Sequence, residues 1–366
     1  MSGDTESRIV VALIFGGRSS EHEISCVTAG AVLSALDRTK FAPLPIGITQ
    51  EGRFVLQPDD PEVLRLNAKA MPQVSDNGPE VLWPESASSH VLRRVDAQGH
   101  VTPLAEVDVV FPLLHGPWGE DGTIQGLLEL YGLPYVGDGV LASAVGMDKA
   151  FTKTVLAAAG IPVAASITVT RWRWEKEPDA VRADAQQFGL PVFVKPCRAG
   201  SSVGVSRVGS WDELDAAVAL ALSEDSKVLI EEAVSGREIE CGVLAGRGHG
   251  EPRVSSAGEI VVTGHGFYDY EAKYLDETST TITIPAALSD EQYAELRDLV
   301  ARAFTAIDGS GLARVDCFLT DSGFVVNEVN TMPGFTPVSM FPLVWQDAGM
   351  TYPEIVTELI ELARGA

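Results

Sequence analysis

An apolar run that leads into a glycine turn and then a helical pattern constrains the fold most; it lies near the N-terminus, in VVALIFGGRSSEHEISCVTAGAVLSAL. Residues 9–15 are continuously apolar and rich in β-branched side chains, which is typical of a strand buried on both faces. Gly16 and Gly17 then predict a tight turn, and Ser20 with Glu23 has the spacing of a capping box that begins a helix. We therefore predict a β–turn–α unit and an α/β (α+β) fold.

The turn of this unit raises the question of what it binds. A helix N-terminus after a glycine turn commonly binds phosphate, because its first backbone N–H groups are free. Here Glu21 and Glu23 lie in the predicted first turn, where their charges would repel a phosphate. A dinucleotide-binding oxidoreductase, the main alternative from another class, predicts G-x-G-x-x-G at this place, which the chain does not have.

The charge of the chain excludes several classes of partner. With 27 basic and 51 acidic residues its net charge is −24, which argues against nucleic acid and anionic membranes because their phosphates would be repelled. No stretch approaches the roughly 18 apolar residues of a membrane span. Four cysteines in no metal-ligand spacing, without a signal-peptide pattern before them, favour a cytoplasmic protein.

The order of patterns along the chain predicts three subdomains. Residues 1–138 form an N-terminal α/β domain, in which strands 44–48 and 107–113 flank a polar, proline-rich stretch. Residues 139–231 form a central subdomain, in which strand 191–196 precedes a glycine-rich run at 200–204. Residues 232–366 form a C-terminal subdomain with a long loop at 264–283 and an amphipathic helix, for which Ser289 and Gln292 have the spacing of a capping box.

Two segments of this last subdomain alternate as paired strands do. In residues 312–319, Arg314 and Asp316 share one face, and in residues 324–330 the same holds for Val326, Glu328 and Asn330.

Residues 321–323 fit a three-residue hairpin loop with Gly323 in the left-handed position. That register places Asp316 opposite Glu328. Opposed carboxylates repel each other unless a cation lies between them, and oxygen ligands with a side-chain amide suit Mg²⁺. The alternative is a solvated sheet face without a metal.

Magnesium implies a phosphate ligand, for which an acidic chain must supply local cations. Lys195 ends a buried strand, and the glycine-rich run at 200–204 permits close backbone approach to an anion, although it is not a Walker A loop. Lys149 lies near a predicted helix start and by itself is more typical of a surface lysine. Glu231 ends a buried strand, and Glu238 lies a few residues beyond it. Such carboxylates can bind adenine and ribose, or they can be no more than the charged end of a strand.

Together these motifs resemble the D-alanine–D-alanine ligase family of the ATP-grasp superfamily. The matching segments run in the family's order over nearly the whole chain, and they are GGRSSEHEIS, HGPWGEDG, MDK, VKPCRAGSSVG, VLIEE, GREIE, YDYEAKY, ARVDCFL and VNEVNTMPGFTPVSMFP. The resemblance implies an ATP-grasp fold with ATP between the central and C-terminal subdomains. It also implies ATP-dependent joining of two D-alanines through an acyl phosphate for peptidoglycan precursor synthesis.

The resemblance also implies which residues bind ATP and metal. ATP would be held at its phosphates, adenine and ribose, and the residues are Lys149, Lys195, Ser202, Glu231, Ala233, Val234, Glu238 and Lys273. Asp316, Glu328 and Asn330 would hold two Mg²⁺, for which Mn²⁺ can substitute.

The same resemblance implies the substrate and catalytic residues. Glu21 and His115 would bind the first D-alanine, and Glu21 would contact the ammonium group of that substrate. Glu23 would then be the capping partner of Ser20. Arg314 and Gly334 would form the oxyanion site, and Ser339 and Met340 would bind the second D-alanine. Ser201 and Tyr274 would form a hydrogen-bonded chain with Glu21. A homodimer is expected, with no nucleic-acid or membrane partner.

Two further alternatives stay open at the level of the sequence. One is a non-catalytic nucleotide-binding module, against which the full set of basic, carboxylate and amide residues argues. The other is ligation of D-alanine to another D-amino or D-hydroxy acid such as D-lactate, which depends on the loop that contains Tyr274.

Overall fold

The computed structural model describes residues 8–66, 71–200, 203–262 and 280–365. Within these ranges the chain forms three β-sheets with helices packed against them. The predicted α/β composition is therefore present.

The first sheet contains the β–turn–α unit. Its strands are β1 (Ile9–Gly16), β2 (Phe41–Ile48), β3 (Phe54–Leu56), β4 (Glu80–Leu82), β5 (Val91–Val95), β6 (Val101–Glu106) and β7 (Val109–Pro112). In the described part of the chain their spatial order is β6-β5-β4-β3-β2-β1-β7, and β1 lies parallel between β2 and β7. Helix α1 (His22–Ala35) follows β1, as predicted.

The capping box predicted for α1 is wrong. No side-chain hydrogen bond caps this helix among the described residues, and the Glu23 carboxylate instead accepts a hydrogen bond from Gln73 Nε2 at 3.1 Å. The turn is held by His22, whose Nδ1 donates to the Gly17 carbonyl (2.6 Å) while its Nε2 accepts from the Val74 amide (3.1 Å). Since these two bonds require a neutral ring with the proton on Nδ1, the imidazole stabilises the helix start instead of a Ser–Glu pair.

The second and third sheets are antiparallel. The second has β8 (Ser166–Thr170), β9 (Val192–Pro196), β10 (Ser206–Val208) and β11 (Lys227–Glu232), in the order β10-β9-β11-β8. The third has β12 (Arg237–Leu244), β13 (Arg253–Val262), β14 (Thr280–Thr283), β15 (Leu312–Thr320) and β16 (Gly323–Asn330), in the order β14-β13-β12-β15-β16.

The hairpin of β15 and β16 reaches the predicted pairing by a different route. Its loop has two residues instead of three, because Thr320 pairs with Gly323. A β-bulge after Asp316 then adds one residue to β16, which restores the predicted pairs of Asp316 with Glu328 and of Arg314 with Asn330. Val326 does not share their face as predicted, since it is buried in the core on the other side.

Helices cover these sheets and join the N-terminal and C-terminal parts. They are α2 (Thr123–Leu130), α3 (Val140–Met147), α4 (Lys149–Ala158), α5 (Arg171–Lys176), α6 (Pro178–Ala185), α7 (Leu214–Glu224), α8 (Asp290–Ala306), α9 (Met340–Asp347) and α10 (Tyr352–Ala363). The capping box predicted at Ser289 and Gln292 is present at the start of α8. One apolar cluster combines side chains of β1 and α1 with side chains of α9 and α10, so the chain's two ends share a core.

None of the described helices combines the length and the apolar character that crossing a membrane requires. The four cysteines are buried and free.

Asp138 connects the end of the N-terminal part to the segment after α8. Its Oδ1 accepts hydrogen bonds from the amides of Ser310 (2.7 Å) and Gly311 (3.1 Å), while Oδ2 is buried without a hydrogen-bond partner among the described residues. Burial raises the pKa of this carboxyl to about 7, although the two N–H donors oppose the shift. The folded chain therefore keeps the proton at a pH where the unfolded chain has lost it.

We predict that Asp138→Asn removes a pH dependence of stability. Between pH 4 and 7 the folded wild type binds one proton more than the unfolded chain at this position, so its free energy of unfolding falls as pH rises, by at most about 1.4 kcal/mol per pH unit. The asparagine side chain would keep the Oδ1 acceptor and would not titrate. In urea unfolding, the free energy of unfolding of the variant minus that of the wild type should increase from pH 4 to 7 and stay constant above pH 7.

The matched control is Asp347→Asn, on an exposed aspartate at the end of α9. A difference between Asp138→Asn and wild type that is the same at every pH would contradict the prediction.

Candidate active site

A cavity of about 400 Å³ is lined by residues of the second and third sheets and by Glu21, His115 and Glu120 from the turns that follow β1 and β7. Most of the residues singled out from the sequence line it. They are Glu21, His115, Lys149, Lys195, Glu231, Val234, Glu238, Arg314, Asp316, Glu328, Asn330 and Gly334. Residues far apart in the chain are thus brought to one concave surface, which is the usual form of a small-molecule site.

The hairpin of β15 and β16 forms one wall of the cavity and holds Arg314 rigidly. The guanidinium donates to both oxygens of Asp316 (2.7 and 2.8 Å) and forms an ion pair with Glu240 (Nε to Oε2, 2.8 Å). Burial opposes its charge, but Asp316 and Glu240 outweigh burial and hold the pKa of Arg314 above its usual value. The Asn330 amide donates to Asp316 Oδ2 at 3.0 Å, which links the two strands on this face.

Lys149 lies in the cavity, not on the surface as its sequence context alone favoured. It is the first residue of α4, where Asp148 caps the helix by accepting hydrogen bonds from the amides of Ala150 and Phe151. Its ammonium group lies 3.3 Å from Glu328 Oε2 and donates to the Ala199 carbonyl at 3.1 Å. Burial lowers the pKa of Lys149, but Glu328 more than compensates and raises it overall.

Lys195 and Lys153 both contact Glu231. The Lys195 ammonium pairs with Glu231 Oε1, and the Lys153 ammonium lies 3.1 Å from Oε2. The carboxyl group of Glu231 is almost fully buried; burial alone would raise its pKa, but the two lysines lower it. The charge on Glu231 is therefore maintained by two cations from different elements, β9 and α4.

Glu21 lies between two glycines from distant parts of the chain. A Cβ atom placed on Gly116 would lie 3.0 Å from Glu21 Oε2, and one placed on Gly200 would lie 3.4 Å from it. Gly116 also has φ +71°, which favours glycine. The β1–α1 turn, the turn after His115 and the glycine-rich run thus converge on one carboxylate.

His115 supports this convergence from its buried position. Ser19 Oγ donates to the His115 carbonyl at 2.7 Å, which connects the β1–α1 turn to the turn that follows β7. Burial lowers the pKa of the imidazole, while Glu21 and a backbone hydrogen bond at Met332 oppose the shift. Its Nε2 is buried without a hydrogen-bond partner among the described residues.

Family models match the chain over most of its length. The model described as D-ala D-ala ligase N-terminus matches residues 10–138, and the one described as D-ala D-ala ligase C-terminus matches residues 155–361. The chain belongs to the D-alanine–D-alanine ligase family.

Individual family members are similar over their full length. The D-alanine–D-alanine ligases of Paenarthrobacter aurescens and Kineococcus radiotolerans are 50% and 52% identical to the chain; each match covers 96% of the chain, and 94% and 96% of the respective relative. Among solved structures, the VanG D-Ala:D-Ser ligase from Enterococcus faecalis is 36% identical, with a TM-score of 0.85 over 98% of this chain and all of that one. The D-alanine–D-alanine ligase of Coxiella burnetii is 33% identical, with a TM-score of 0.81, and the match covers 98% and 94% of the two chains. The family and the ATP-grasp fold predicted from the sequence are thereby confirmed.

Some of the residues expected from the family resemblance lie at the edge of the cavity or outside the described chain. The Ala233 amide donates to the Pro191 carbonyl, so only its carbonyl is available to a ligand. Ser339 Oγ contacts Thr336 Oγ1 at 2.7 Å beside Gly334, and Met340 begins α9 with its side chain buried. Four of the expected residues lie outside the described ranges, namely Ser201, Ser202, Lys273 and Tyr274, together with most of the loop 264–283.

The donor set on the hairpin fits a hard cation by its chemistry. Among the described residues no three His, Cys, Asp or Glu side chains cluster as a metal site. Asp316 and Glu328 supply two carboxylates, however, and Asn330 supplies an amide oxygen on the same wall of the cavity. All are oxygen donors of the kind that Mg²⁺ binds. In the described structure each carboxylate already pairs with a protein cation, Asp316 with Arg314 and Glu328 with Lys149.

Three residues of the site were not found from the sequence. Glu240 and Lys153 are buried partners of Arg314 and Glu231, and Glu120 lines the cavity near Glu21. Glu120 Oε1 accepts a hydrogen bond from the Gly116 amide at 2.9 Å. Lys153 lies four residues after Lys149 on the same helix, a spacing that could have drawn attention to it.

Burial raises the pKa of Glu120 to about 8, and the nearby charge of Glu21 adds to the shift. We predict that this carboxyl is protonated at pH 6, because burial disfavours its charged form and the negative charge of Glu21 lies close by. An infrared difference spectrum between wild type and Glu120→Gln should show the C=O stretch of a protonated carboxylic acid at pH 6, and the band should vanish by pH 10. Asp121→Asn is the control and should give no such band. Absence of the band from the Glu120 difference at pH 6 would show that the carboxyl is ionised.

Proposed function

We propose that the chain joins two D-alanine molecules to D-alanyl-D-alanine, converts ATP to ADP and phosphate, and so supplies a precursor of peptidoglycan. The observation that carries the proposal is the cavity itself, which combines two lysines, the Asp316–Glu328–Asn330 donor set, Arg314 and Glu21. Family members about 50% identical over nearly the whole chain carry this activity in their names.

ATP would bind between the central and C-terminal subdomains, in the division 139–231 and 232–366 expected from the sequence. Lys149 and Lys195 would hold its phosphates, together with Ser202 and Lys273, which the family resemblance adds to the ATP site. Both lysines are held in the cavity by carboxylates that a phosphate could replace. Glu231, the Ala233 carbonyl and the Val234 backbone would bind adenine.

Glu238 lines the same cavity and would accept a hydrogen bond from the ribose. Asp316, Glu328 and Asn330 would hold two Mg²⁺, or Mn²⁺ in their place. Bound there, the ions would neutralise charge on the transferring phosphoryl group. The oxygen-only chemistry of these side chains supports this assignment.

The first D-alanine would lie between Glu21 and Arg314. Glu21 would accept a hydrogen bond from the ammonium group of this D-alanine, and the buried His115 would fix the turn behind Glu21. The substrate carboxylate takes the γ-phosphoryl group of ATP, which gives an acyl phosphate and ADP.

The amine of the second D-alanine then attacks the acyl carbon and phosphate leaves. Ser339 Oγ and the Met340 amide would bind the carboxylate of this second substrate; the amide of Met340 lies in the first turn of α9, where helix N–H groups lack intrahelical acceptors. The Arg314 guanidinium and the Gly334 amide would donate to the oxyanion that forms on attack. The attacking ammonium must lose a proton, and the hydrogen-bonded chain of Glu21, Ser201 and Tyr274 would accept it.

We include in the proposal the homodimer and the cytoplasmic location expected from the sequence. The cytoplasmic location agrees with an enzyme that acts on free amino acids and ATP.

Phosphate release tests the proposal directly. With ATP and Mg²⁺ we expect release that depends on D-alanine, with D-alanyl-D-alanine as the product, and none with L-alanine alone. Mixtures of D-alanine with D-lactate or D-serine test the second substrate. No D-alanine-dependent release would refute the proposal, whereas a mixed product formed in preference would change only the second substrate.

Substitution of the donor set separates catalysis from folding. We expect Asp316→Asn and Glu328→Gln each to lower turnover about 100-fold or more, because charge stabilisation by a bound metal contributes several kcal/mol to the transition state. Each substitution also removes a charge that pairs with Arg314 or Lys149, so the free energy of unfolding should fall as well. Because the side-chain shape is kept, the variants should remain folded under the assay conditions, which far-UV circular dichroism checks. The control is Asp321→Asn, an exposed aspartate in the turn of the same hairpin. Full turnover in either donor-set variant would remove the metal assignment.

A further inference from the structure

Glu231 is a buried carboxylate shared between two lysines. Oε1 pairs with Lys195 from β9, and Oε2 lies 3.1 Å from Lys153 on α4. The side chains of Lys153 and Glu231 are 7% and 5% exposed, and that of Lys195 is 14% exposed. Of these three residues only Lys195 and Glu231 line the cavity, so Lys153 contacts Glu231 from behind the cavity wall.

The two lysines differ in what they can do when a nucleotide binds. If Lys195 moves to a phosphate, it leaves Glu231, and a buried carboxylate without a cation is strongly disfavoured. Lys153 lies behind the wall and can stay in place. It therefore neutralises Glu231 in both arrangements and lowers the cost of releasing Lys195.

We propose that Lys153 is a positioning residue that fixes Glu231 for adenine and frees Lys195 for phosphate. Because Lys153 holds Oε2, the other oxygen of Glu231 faces the cavity and becomes available as Lys195 departs. A carboxylate oxygen accepts a hydrogen bond from the exocyclic amino group of adenine, and it repels the carbonyl that hypoxanthine has at the same position. This proposal rests on the proposed binding of ATP in the cavity.

Discrimination between adenine and hypoxanthine nucleotides tests the role of Lys153. We would measure Kd for ADP and IDP by calorimetry, and KM and kcat with ATP and ITP. In Lys153→Met we expect the Kd for ADP to rise about 10-fold or more and that for IDP to rise distinctly less, since a hydrogen bond to a charged group is lost only with adenine. The KM for ATP should likewise rise more than the KM for ITP, and kcat at saturating ATP should change less than KM does.

Three further variants make the result specific. Lys153→Arg keeps the cation and should restore the ratio of the two Kd values nearly to that of wild type. Lys176→Met, on an exposed lysine at the end of α5, should leave both nucleotides unaffected. Glu231→Gln should itself lower the discrimination, and adding Lys153→Met to Glu231→Gln should change it little, because the charge that Lys153 neutralises is gone.

The outcomes separate this inference from the proposed function. An equal loss of affinity for ADP and IDP in Lys153→Met, or no loss, overturns the positioning role, because a general structural effect would not distinguish the bases. If Lys153→Met does not fold, Glu231→Gln with and without Lys153→Met carries the test, and a further large loss of discrimination in the double variant overturns the inference. Wild-type protein that binds ADP but makes no dipeptide would refute the ligase proposal alone.

Discussion

Buried ion pairs determine what the cavity can bind. Lys149 pairs with Glu328, Lys195 with Glu231, and Arg314 with Asp316 and Glu240. In a chain of net charge −24, such pairing keeps cations concentrated at one place without leaving any of them uncompensated in the protein interior. A polyanion can take the lysines only if the carboxylates gain another cation. Binding of a phosphate and of a divalent cation would therefore favour each other, which is thermodynamic coupling between two ligands of one cavity.

The β1–α1 turn contributes to this site in a way that its glycines alone did not indicate. Gly16 and Gly17 have φ values of +87° and +93°, so the chain turns sharply after β1 and brings Glu21 beneath the turn that contains Gly116. Lys149 and Lys195 lie on other elements, α4 and β9. At the N-terminus of α1, where a dinucleotide fold would bind a phosphate, this chain has the carboxylate of Glu21. Its chemistry suits a cationic group, and burial together with Glu21 raises the pKa of the second carboxyl group nearby, Glu120, to about 8.

The sequence predicted those features that depend on local pattern. Strand β1 and the cap of α8 follow from periodicity and capping patterns. The predicted opposition of Asp316 to Glu328 is present, but it arises from a two-residue loop and a β-bulge that the pattern did not indicate. Features that depend on burial by distant segments were missed or wrong. The local pattern alone favoured a surface position for Lys149, because its helix start gives no sign of the strands that enclose it, and only the family resemblance assigned it to the ATP site. The Ser20–Glu23 capping box failed because His22 bonds to Gly17 and to the distant Val74, a contact that no local pattern encodes.

The hairpin shows how a small irregularity selects the side chains of the site. With the two-residue loop and strict alternation, Asn327 would lie opposite Asp316, and Glu328 would point into the core with Val326. The extra residue of the bulge shifts the rest of β16 by one position, so Asn327 and Glu328 both line the cavity while Val326 remains buried in the core. The carboxylate and the amide opposite Asp316 and Arg314 therefore depend on the bulge as much as on their own identity. A bulge beside a site is best understood as the device that aims its side chains.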